Sequence, residues 1–432
     1  MKTIIIFLLI FSIIVVIHEF GHYYFAKKAG ILVREFSIGM GPKLFSMQDK
    51  DHTTYTLRIL PLGGYVRLAG LGEEEDLDPG MEVSLTFNQA NEVIQINKSK
   101  QSNAEELPVR INQFDLMDAM QIEAIPLGQE SSQVYPVSKR AMLVEADGTM
   151  IPVAPRERRY ESVSVWNKIK TNFAGPLNNF ILSIVLFTAI AFALPNGVPV
   201  GPADTSNEPV IGQVSPGSSA EEAGLQTGDK VLEVNQETVT NWDDLVAAIQ
   251  ANGNHEVQLL VERDNQEQTI KVKPSPSKDP RTGEDRLILG IVKDSHQAYS
   301  QALSDKLLFG FITTWGVITG VFEVLASMLM NGFNLNNFGG PVAMAQMTSQ
   351  AVSFGWLTIL NFMAYISANL GVFNLLPIPA LDGGKIVLNL IELVRGKPLS
   401  QSKEGIITLI GAILLIILMV AVTWNDIQRA FF

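Results

Sequence analysis

The sequence predicts a polytopic α-helical membrane protein with about four transmembrane helices, a membrane-associated β-hairpin region and an α+β domain outside the membrane. Of its 432 residues, 47% are hydrophobic and only 18% are charged, whereas soluble domains are about 25% charged. The apolar residues cluster in five stretches, each about the 20 residues that a bilayer crossing needs. These stretches are 3–25, 173–194, 307–333, 354–376 and 405–424.

Composition also excludes some classes of function. The chain contains no cysteine, which rules out disulfides and thiolate chemistry. Its formal net charge of −12 provides no electrostatic footprint for a nucleic-acid partner. A cleaved signal peptide is disfavoured because the first apolar stretch is long, ends in His-Glu-x-x-His and is not followed by an A-x-A-like cleavage site.

Basic residues predict how the chain crosses the membrane. Lysines and arginines cluster at 27–43, 156–170 and 395–403, and the positive-inside rule makes these three clusters cytoplasmic. The N-terminus is then outside, 71–170 is a cytoplasmic insertion, and a block over 205–293 is extracytoplasmic. The transmembrane helices are predicted at 1–30, 171–196, 353–394 and 404–425. Because one crossing suffices between the outer block and residue 394, 303–352 is predicted to form interfacial helices.

The first apolar stretch carries three residues that are unusual in a membrane helix. His18 and His22 are four residues apart and share one face of a helix, with Glu19 between them. In this H-E-x-x-H arrangement the histidines hold zinc and the glutamate acts as general base on water. His18 lies about 22 Å along an apolar path of about 30 Å, which predicts a metal site within the membrane near its cytoplasmic face.

Zinc needs a third protein ligand and an open position for water. Asp382 lies in the sequence NLLPIPALDGG, where Pro377 and Pro379 must break a helix and free its backbone groups. Such a break lets a carboxylate point inward, so Asp382 is the predicted third ligand. Glu323, the acidic residue of the third apolar stretch, is the alternative ligand.

The motifs H-E-F-G-H and N-x-x-P-x-P-x-L-D-G together resemble the site-2 protease family of intramembrane zinc metalloproteases. The order of the parts is most similar to the bacterial RseP-type members, and the stretch AKKAGILVREFSIGMGPKLFS to the RasP- and Eep-type members of Gram-positive bacteria. The resemblance covers nearly the whole chain except 71–155, where no chemistry is recognised.

The resemblance implies a role for each motif residue. The zinc ligands would be His18, His22 and Asp382, and the catalytic base would be Glu19. Asn374, the first residue of the second motif, would assist binding of the substrate or transition state.

The sequence also indicates a structure or a role for three further parts of the chain. Strand-like alternation in 31–70 suits a hairpin, and the resemblance implies that it re-enters the membrane beside the active site. The block 205–293 resembles a PDZ domain, with a helix at 242–249. Asn178 and Asn179, which are polar within a membrane helix, are expected to tie helices together by hydrogen bonds, with substrate contact as the alternative role.

The predicted function is cleavage of peptide bonds inside the transmembrane segments of single-span membrane proteins. The resemblance implies substrates already shortened by an upstream site-1-type protease, such as anti-sigma-factor-like regulators, or remnants of signal peptides. The protein would act as a metalloendopeptidase in the bacterial cell membrane. Two alternatives are a metal transporter, since His and Asp in membrane helices also suit an ion path, and a non-catalytic scaffold that binds partners through its PDZ-like domain.

Overall fold

A computed structural model describes residues 2–71, 77–99, 106–146, 148–195, 197–200, 207–215, 217–278, 285–294 and 298–431. Parts of the predicted ranges 1–30, 71–170, 171–196 and 205–293 therefore lie outside the described residues. The chain divides into two compact units. Unit 1 comprises Met1–Ile190, Gly310–Phe333 and Gly340–Ala421, and unit 2 comprises Ala191–Phe309, Asn334–Gly339 and Val422–Phe432.

Helices dominate the apolar stretches. The α-helices of the described residues are α1 (Lys2–Lys28), α2 (Val165–Ala193), α3 (Ser219–Glu222), α4 (Trp242–Ala251), α5 (Leu303–Asn331), α6 (Pro341–Phe354), α7 (Trp356–Leu375), α8 (Asp382–Arg395) and α9 (Gln401–Phe431). Short 3-10 helices occupy Arg156–Arg158, Tyr160–Ser162 and Leu335–Asn337.

Five of these helices are long and apolar enough to cross a membrane. Within the described residues they are α1, α2, α5, α7 and most of α9. Their length and composition confirm the expected membrane protein, but they do not decide between four crossings and five. The interfacial position predicted for 303–352 therefore stays a prediction.

The range 353–394, predicted as one transmembrane helix, contains two helices. Helix α7 ends at Leu375 and α8 begins at Asp382. Pro377 and Pro379 explain the break, because a proline has no N–H for the helical ladder and disfavours the helical region for the residue before it. The predicted metal ligand is thus the first residue of a separate 14-residue helix.

A β-hairpin follows α1, as expected for 31–70. Strand β1 (Val33–Gln48) pairs antiparallel with β2 (Thr54–Leu68). Residues 35–38 of β1 pair with 54–57 on one side and with 64–67 on the other. The two strands therefore curl into a small sheet in which 64–67 forms one edge.

The range 71–170, which was predicted to be a cytoplasmic insertion, contains a second sheet that belongs to unit 1. Its strands are β3 (Glu82–Phe87), β4 (Val93–Asn97), β5 (Leu107–Asp115), β6 (Gln121–Pro126), β7 (Gln133–Val144) and β8 (Met150–Pro152). They follow the order β4-β3-β5-β6-β7-β8, and β4 also pairs parallel with β7. This extra pairing joins the ends of a five-strand run, which protects edges that would otherwise be open.

Buried side chains of the closed sheet form one apolar core. Its fully buried members include Leu85, Ile96, Ile111, Ile122 and Leu143. The sheet thus has its own core, and a core of this kind gives a domain independent stability.

Unit 2 contains the α+β block expected over 205–293. Its strands are β9 (Val198–Val200), β10 (Ile211–Val214), β11 (Lys230–Val234), β12 (Glu237–Thr238), β13 (Val257–Arg263), β14 (Gln266–Val272), β15 (Ser275–Lys278), β16 (Asp285–Ile288), β17 (Ile291–Lys293) and β18 (Ala298–Ser300). A four-stranded sheet of order β12-β11-β13-β14 shares an apolar core with α4, through side chains such as Leu245 and Val261. Helix α4 covers the predicted helix at 242–249, and the assignment of a PDZ domain stays a prediction.

Candidate metal centre

Helices α1 and α2 approach each other at two glycines. A Cβ atom built on Gly21 would lie 2.3 Å from the carbonyl oxygen of Ala174, and one built on Gly175 would lie 2.3 Å from Nε2 of His22. Neither contact is possible for a real side chain, so glycine is required at both positions. Because Gly175 has no side chain, the two imidazole rings can lie directly against the backbone of α2.

The structure brings together His18, His22 and Asp382. The Nε2 atoms of the two histidines are 3.2 Å apart, and each lies 3.2 Å from Oδ2 of Asp382. All three side chains are nearly buried, with 9%, 12% and 12% of their surface exposed. Within the described residues they are the group of His, Asp and Glu side chains whose ligand atoms converge as a metal site requires.

The triangle fits a tetrahedral zinc ion. Bonds of about 2.0–2.1 Å at tetrahedral angles place neighbouring donor atoms about 3.3–3.4 Å apart, close to the 3.2 Å of each side here. Oδ2 of Asp382 is buried and has no hydrogen-bond partner in the part of the chain that the structure describes, although burying an unpaired carboxylate atom is costly. A cation at the centre of the triangle would bind that oxygen together with the Nε2 lone pairs of the two histidines.

The remaining nitrogen of each ring also has a partner. Nδ1 of His22 donates to the main-chain carbonyl of Thr171 over 2.8 Å, which leaves the lone pair of a neutral ring on Nε2. Nδ1 of His18 lies 3.1 Å from Nδ2 of Asn179. Carbonyl or carboxamide partners of this kind orient metal-binding imidazoles.

Sequence reasoning did not predict which groups would contact the two imidazole rings. Thr171 acts through its backbone, so its side chain gives no signal. Asn178 and Asn179 both meet the expectation of a hydrogen-bonded tie between α2 and α1. Nδ2 of Asn178 donates to the carbonyl of Ile17 over 2.9 Å, and the carboxamide of Asn179 contacts the ring of His18.

Glu19 and Asn374 lie beside the triangle. Both line a cavity of about 260 Å³ that also exposes the three converging side chains, and this space is called the site cavity below. Glu19 is half-buried, one residue after His18 on α1. Asn374 lies one residue before the end of α7. Glu323, the alternative ligand, is exposed on α5 and is not part of the group.

The segment before Asp382 is tightly packed. A Cβ atom built on Gly383 would lie 2.3 Å from the carbonyl oxygen of Leu375, and one built on Gly384 would lie 2.4 Å from that of Ile378. Ala380 has a φ of 82°, in the left-handed region that costs a side-chain-bearing residue about 1–2 kcal/mol. The glycines therefore bring α8 against the end of α7 and so place Asp382 opposite the histidines.

Two polar contacts hold α8 to α2. Nζ of Lys168 donates to both carboxylate oxygens of Glu392 over 2.8 and 3.0 Å, and only 3% of the lysine side chain is exposed. The hydroxyl of Tyr160 accepts hydrogen bonds from Asn172 and Asn389. Burial raises the pKa of Tyr160 to about 12, so the phenol stays neutral and these bonds persist at ordinary pH.

A larger cavity of about 860 Å³ adjoins the site cavity, and it is called the side cavity below. Val66, Leu71 and Lys385 line both spaces. The side cavity also has charged walls, since Glu161, Lys168, Glu392 and Glu404 line it. A space with charged walls therefore lies next to the site cavity.

The hairpin forms another wall of the site cavity, through Tyr65, Val66 and Leu68. A Cβ atom built on Gly64 would lie 3.5 Å from Cγ of Glu19, so β2 passes close to that residue. A polar network stiffens the hairpin, because Nη2 of Arg58 and the hydroxyl of Tyr65 donate to Glu35 over 2.8 Å each. Burial alone would raise the pKa of Glu35, but these hydrogen bonds, with one from Thr56, hold it below its usual range.

Comparison with known proteins identifies the family. A sequence profile of peptidase family M50 matches residues 6–418. The chain belongs to peptidase family M50. Family M50 comprises the site-2 proteases, which are zinc-dependent. The protein is therefore a membrane zinc metalloprotease, which confirms the resemblance, the enzyme class and the cofactor predicted from sequence.

Full-length relatives agree. The chain is 46% identical over 436 residues to "Probable protease eep" of Enterococcus faecalis, and the alignment covers all of both chains. Two further relatives carry the name "Putative zinc metalloprotease". The chain is 43% identical over 441 residues to the one from Streptococcus pyogenes and 42% identical over 444 residues to the one from Lactococcus lactis. The alignments cover all of this chain and 100% and 99% of those relatives. These matches favour a protease over the transporter and scaffold alternatives.

Proposed function

We propose that the protein cleaves peptide bonds within the transmembrane segments of single-span membrane proteins, with zinc held by His18, His22 and Asp382. The observation that carries the proposal is the triangle of ligand atoms, 3.2 Å on each side, with two corners on α1, a helix long and apolar enough to span a membrane. His18 lies 16 residues after Lys2 on α1, or about 24 Å along the helix axis. That depth is within a bilayer, where such substrates lie.

Zinc held there would act as a Lewis acid. It would lower the pKa of a bound water molecule towards 7 and polarise the scissile carbonyl. Glu19 takes a proton from the attacking water and then delivers it to the leaving amide nitrogen. Asn374 donates from its carboxamide to the substrate backbone or to the oxygen that gains charge in the transition state. Both residues line the site cavity, and this placement supports their roles.

Capture of the substrate requires an extended backbone, because a helix hides its peptide bonds in its own hydrogen bonds. Residues 64–67 form an edge of the curled hairpin sheet, and Tyr65 and Val66 line the site cavity. An unwound segment can add to such an edge as an extra strand. The edge would then hold the scissile bond next to Glu19.

Water and products would use the side cavity. Its charged lining, which includes Glu161, Lys168 and Glu404, favours water within a protein whose helices are otherwise apolar. Lys385 lies at the junction of the two cavities. The proposed topology places this region at the cytoplasmic side of the membrane and the block 205–293 outside.

The proposed substrates have small outer parts, such as anti-sigma-factor-like regulators already cut by an upstream site-1-type protease, or signal-peptide remnants. The α+β block of unit 2, proposed to be a PDZ domain, would exclude substrates with bulky outer domains or bind their ends. Its independent core supports a separate module of this kind.

Mass-spectrometric mapping of products from a membrane-spanning peptide tests the activity. Wild type should cut inside the apolar segment in detergent, whereas Glu19→Gln should not, because glutamine cannot accept the proton. Cutting by both proteins would remove Glu19 from the role of base. Asp382→Ala should in addition lose bound zinc, and an unchanged zinc content would move the third ligand elsewhere.

A further inference from the structure

Asn179 has a fully buried side chain in the membrane helix α2. The ring of His18 is its hydrogen-bond partner, with 3.1 Å between Nδ2 and Nδ1, and Oδ1 of Asn179 is buried without a partner among the described residues. Leaving a buried polar atom unpaired costs about 1–3 kcal/mol. A leucine would fill similar space without that cost, so packing does not explain the amide.

Helix association does not explain it either. Asn178, the preceding residue, already ties α2 to α1 by donating to the carbonyl of Ile17. The main-chain carbonyl of Asn179 accepts a hydrogen bond from Oγ of Ser367 on α7 over 2.8 Å, and any residue at position 179 would keep that bond. What the carboxamide adds is its contact with the ring of His18.

Metal binding fixes the proton of that ring. A neutral imidazole that binds zinc through Nε2 carries its hydrogen on Nδ1 and must donate it. The NH2 group of Asn179 cannot accept this hydrogen, but the carboxamide oxygen can. A half-turn about the last side-chain bond exchanges the two atoms within the same space.

We propose that Asn179 is a positioning residue for the metal centre. Its carboxamide oxygen accepts the hydrogen of Nδ1 of His18, which fixes the ring tautomer and directs the Nε2 lone pair into the triangle. Thr171 serves His22 in the same way through a main-chain carbonyl, which substitution cannot remove. Asn179 is thus the partner that mutation can test, and its role rests on the proposed assignment of His18 as a ligand.

The test measures zinc affinity of the full-length protein in detergent, by competition with a chromophoric chelator. Asn179→Leu and Asn179→Ala lack an acceptor and should bind zinc about 10–100-fold more weakly, the usual effect of losing such a partner. Asn179→Asp keeps an acceptor oxygen and should stay within about threefold of wild type, since the Nδ1 hydrogen bond is preserved. Asn178→Leu, the matched control, should lower thermal stability without weakening zinc binding.

Wild-type affinity in Asn179→Leu and Asn179→Ala would overturn the proposal, as would equal losses in Asn178→Leu and Asn179→Leu. If Asn179→Leu fails to fold, the comparison of Asn179→Ala with Asn179→Asp decides, because only the second retains an acceptor. His18→Ala separates the two levels of inference. Zinc loss in His18→Ala with none in the Asn179 variants would refute the positioning role alone, whereas unchanged zinc in His18→Ala would refute the ligand assignment.

Discussion

Gly175→Ala should damage the metal centre without changing any proposed ligand. The Cβ atom of the new alanine would lie 2.3 Å from Nε2 and 2.7 Å from Cε1 of His22, and 2.8 Å from Cε1 of His18. Ordinary van der Waals contact begins at 3.4 Å. Nε2 of His22 must therefore retreat by about 1.1 Å, and this atom is one corner of the triangle.

The size of that displacement sets the expected loss. A shift of about 1 Å in a positioned group can cost about 100-fold in rate, so product formation should fall by about that factor. Zinc affinity should fall as well, because an ion bound at about 2.0–2.1 Å tolerates deviations of only about 0.2 Å. The helix itself should gain from alanine, which is favoured over glycine by about 1 kcal/mol in a helix interior.

Chelator competition and peptide cleavage in detergent measure the two losses, and thermal unfolding checks the fold. Gly320→Ala on α5 is the matched control, since nothing lies within 4 Å of its Cβ position. The control should keep full zinc binding and cleavage. Wild-type zinc affinity and activity in Gly175→Ala would refute the proposed triangle as the metal centre.

Lys168→Met should destabilise the protein by about 3–5 kcal/mol, because it leaves the Glu392 carboxylate buried without its cation. The double variant that also carries Glu392→Leu should recover most of the lost stability, because the unpaired charge is then removed. Thermal unfolding compares the single and double variants, and equal losses would argue against a direct pair. Ala380→Gly should raise the free energy of unfolding by about 0.5–1 kcal/mol. Glycine adopts the positive φ without strain, and its greater flexibility in the unfolded chain offsets part of that gain. A lower melting temperature in thermal unfolding would contradict this. Deleting 205–293 should permit cleavage of substrates with large outer domains, and unchanged selectivity in a cleavage assay would exclude a size filter.

The metal centre was predictable to the extent that local geometry determines it. Residues four apart on a helix share a face, so His18 and His22 had to lie together once the stretch was helical. Asp382 was found because prolines beside a carboxylate in an apolar stretch indicate a broken helix with an inward-facing acid. The structure brings these three side chains together, and their role as zinc ligands stays a prediction.

The supports of the site could not be predicted in the same way. Thr171 acts through a main-chain carbonyl, and Asn179 resembles Asn178 in sequence although the two side chains meet different partners. Which asparagine faces the ring depends on the rotation of α2 against α1. That rotation follows from the contacts of Gly21 and Gly175, whose partners lie far away in the sequence.

The sheet within 71–170 was also missed. Four of its six strands contain proline, as at Pro108 and Pro136, and proline weakens a strand assignment from sequence. The parallel pairing of β4 with β7 joins segments about 40 residues apart, which alternation within either strand does not reveal. The hairpin of 31–70, by contrast, is local and was expected.

The third corner of the triangle lies on a helix that begins 360 positions after His22 in the chain. An ion bound there acts as a cross-link that closes a very long loop, and closing such a loop restrains the unfolded chain more than closing a short one. Metal binding and folding are then thermodynamically coupled. A molecule that loses its ion would lose both activity and the tether between its first helix and its C-terminal helices, so inactive molecules would also be the ones most open to degradation.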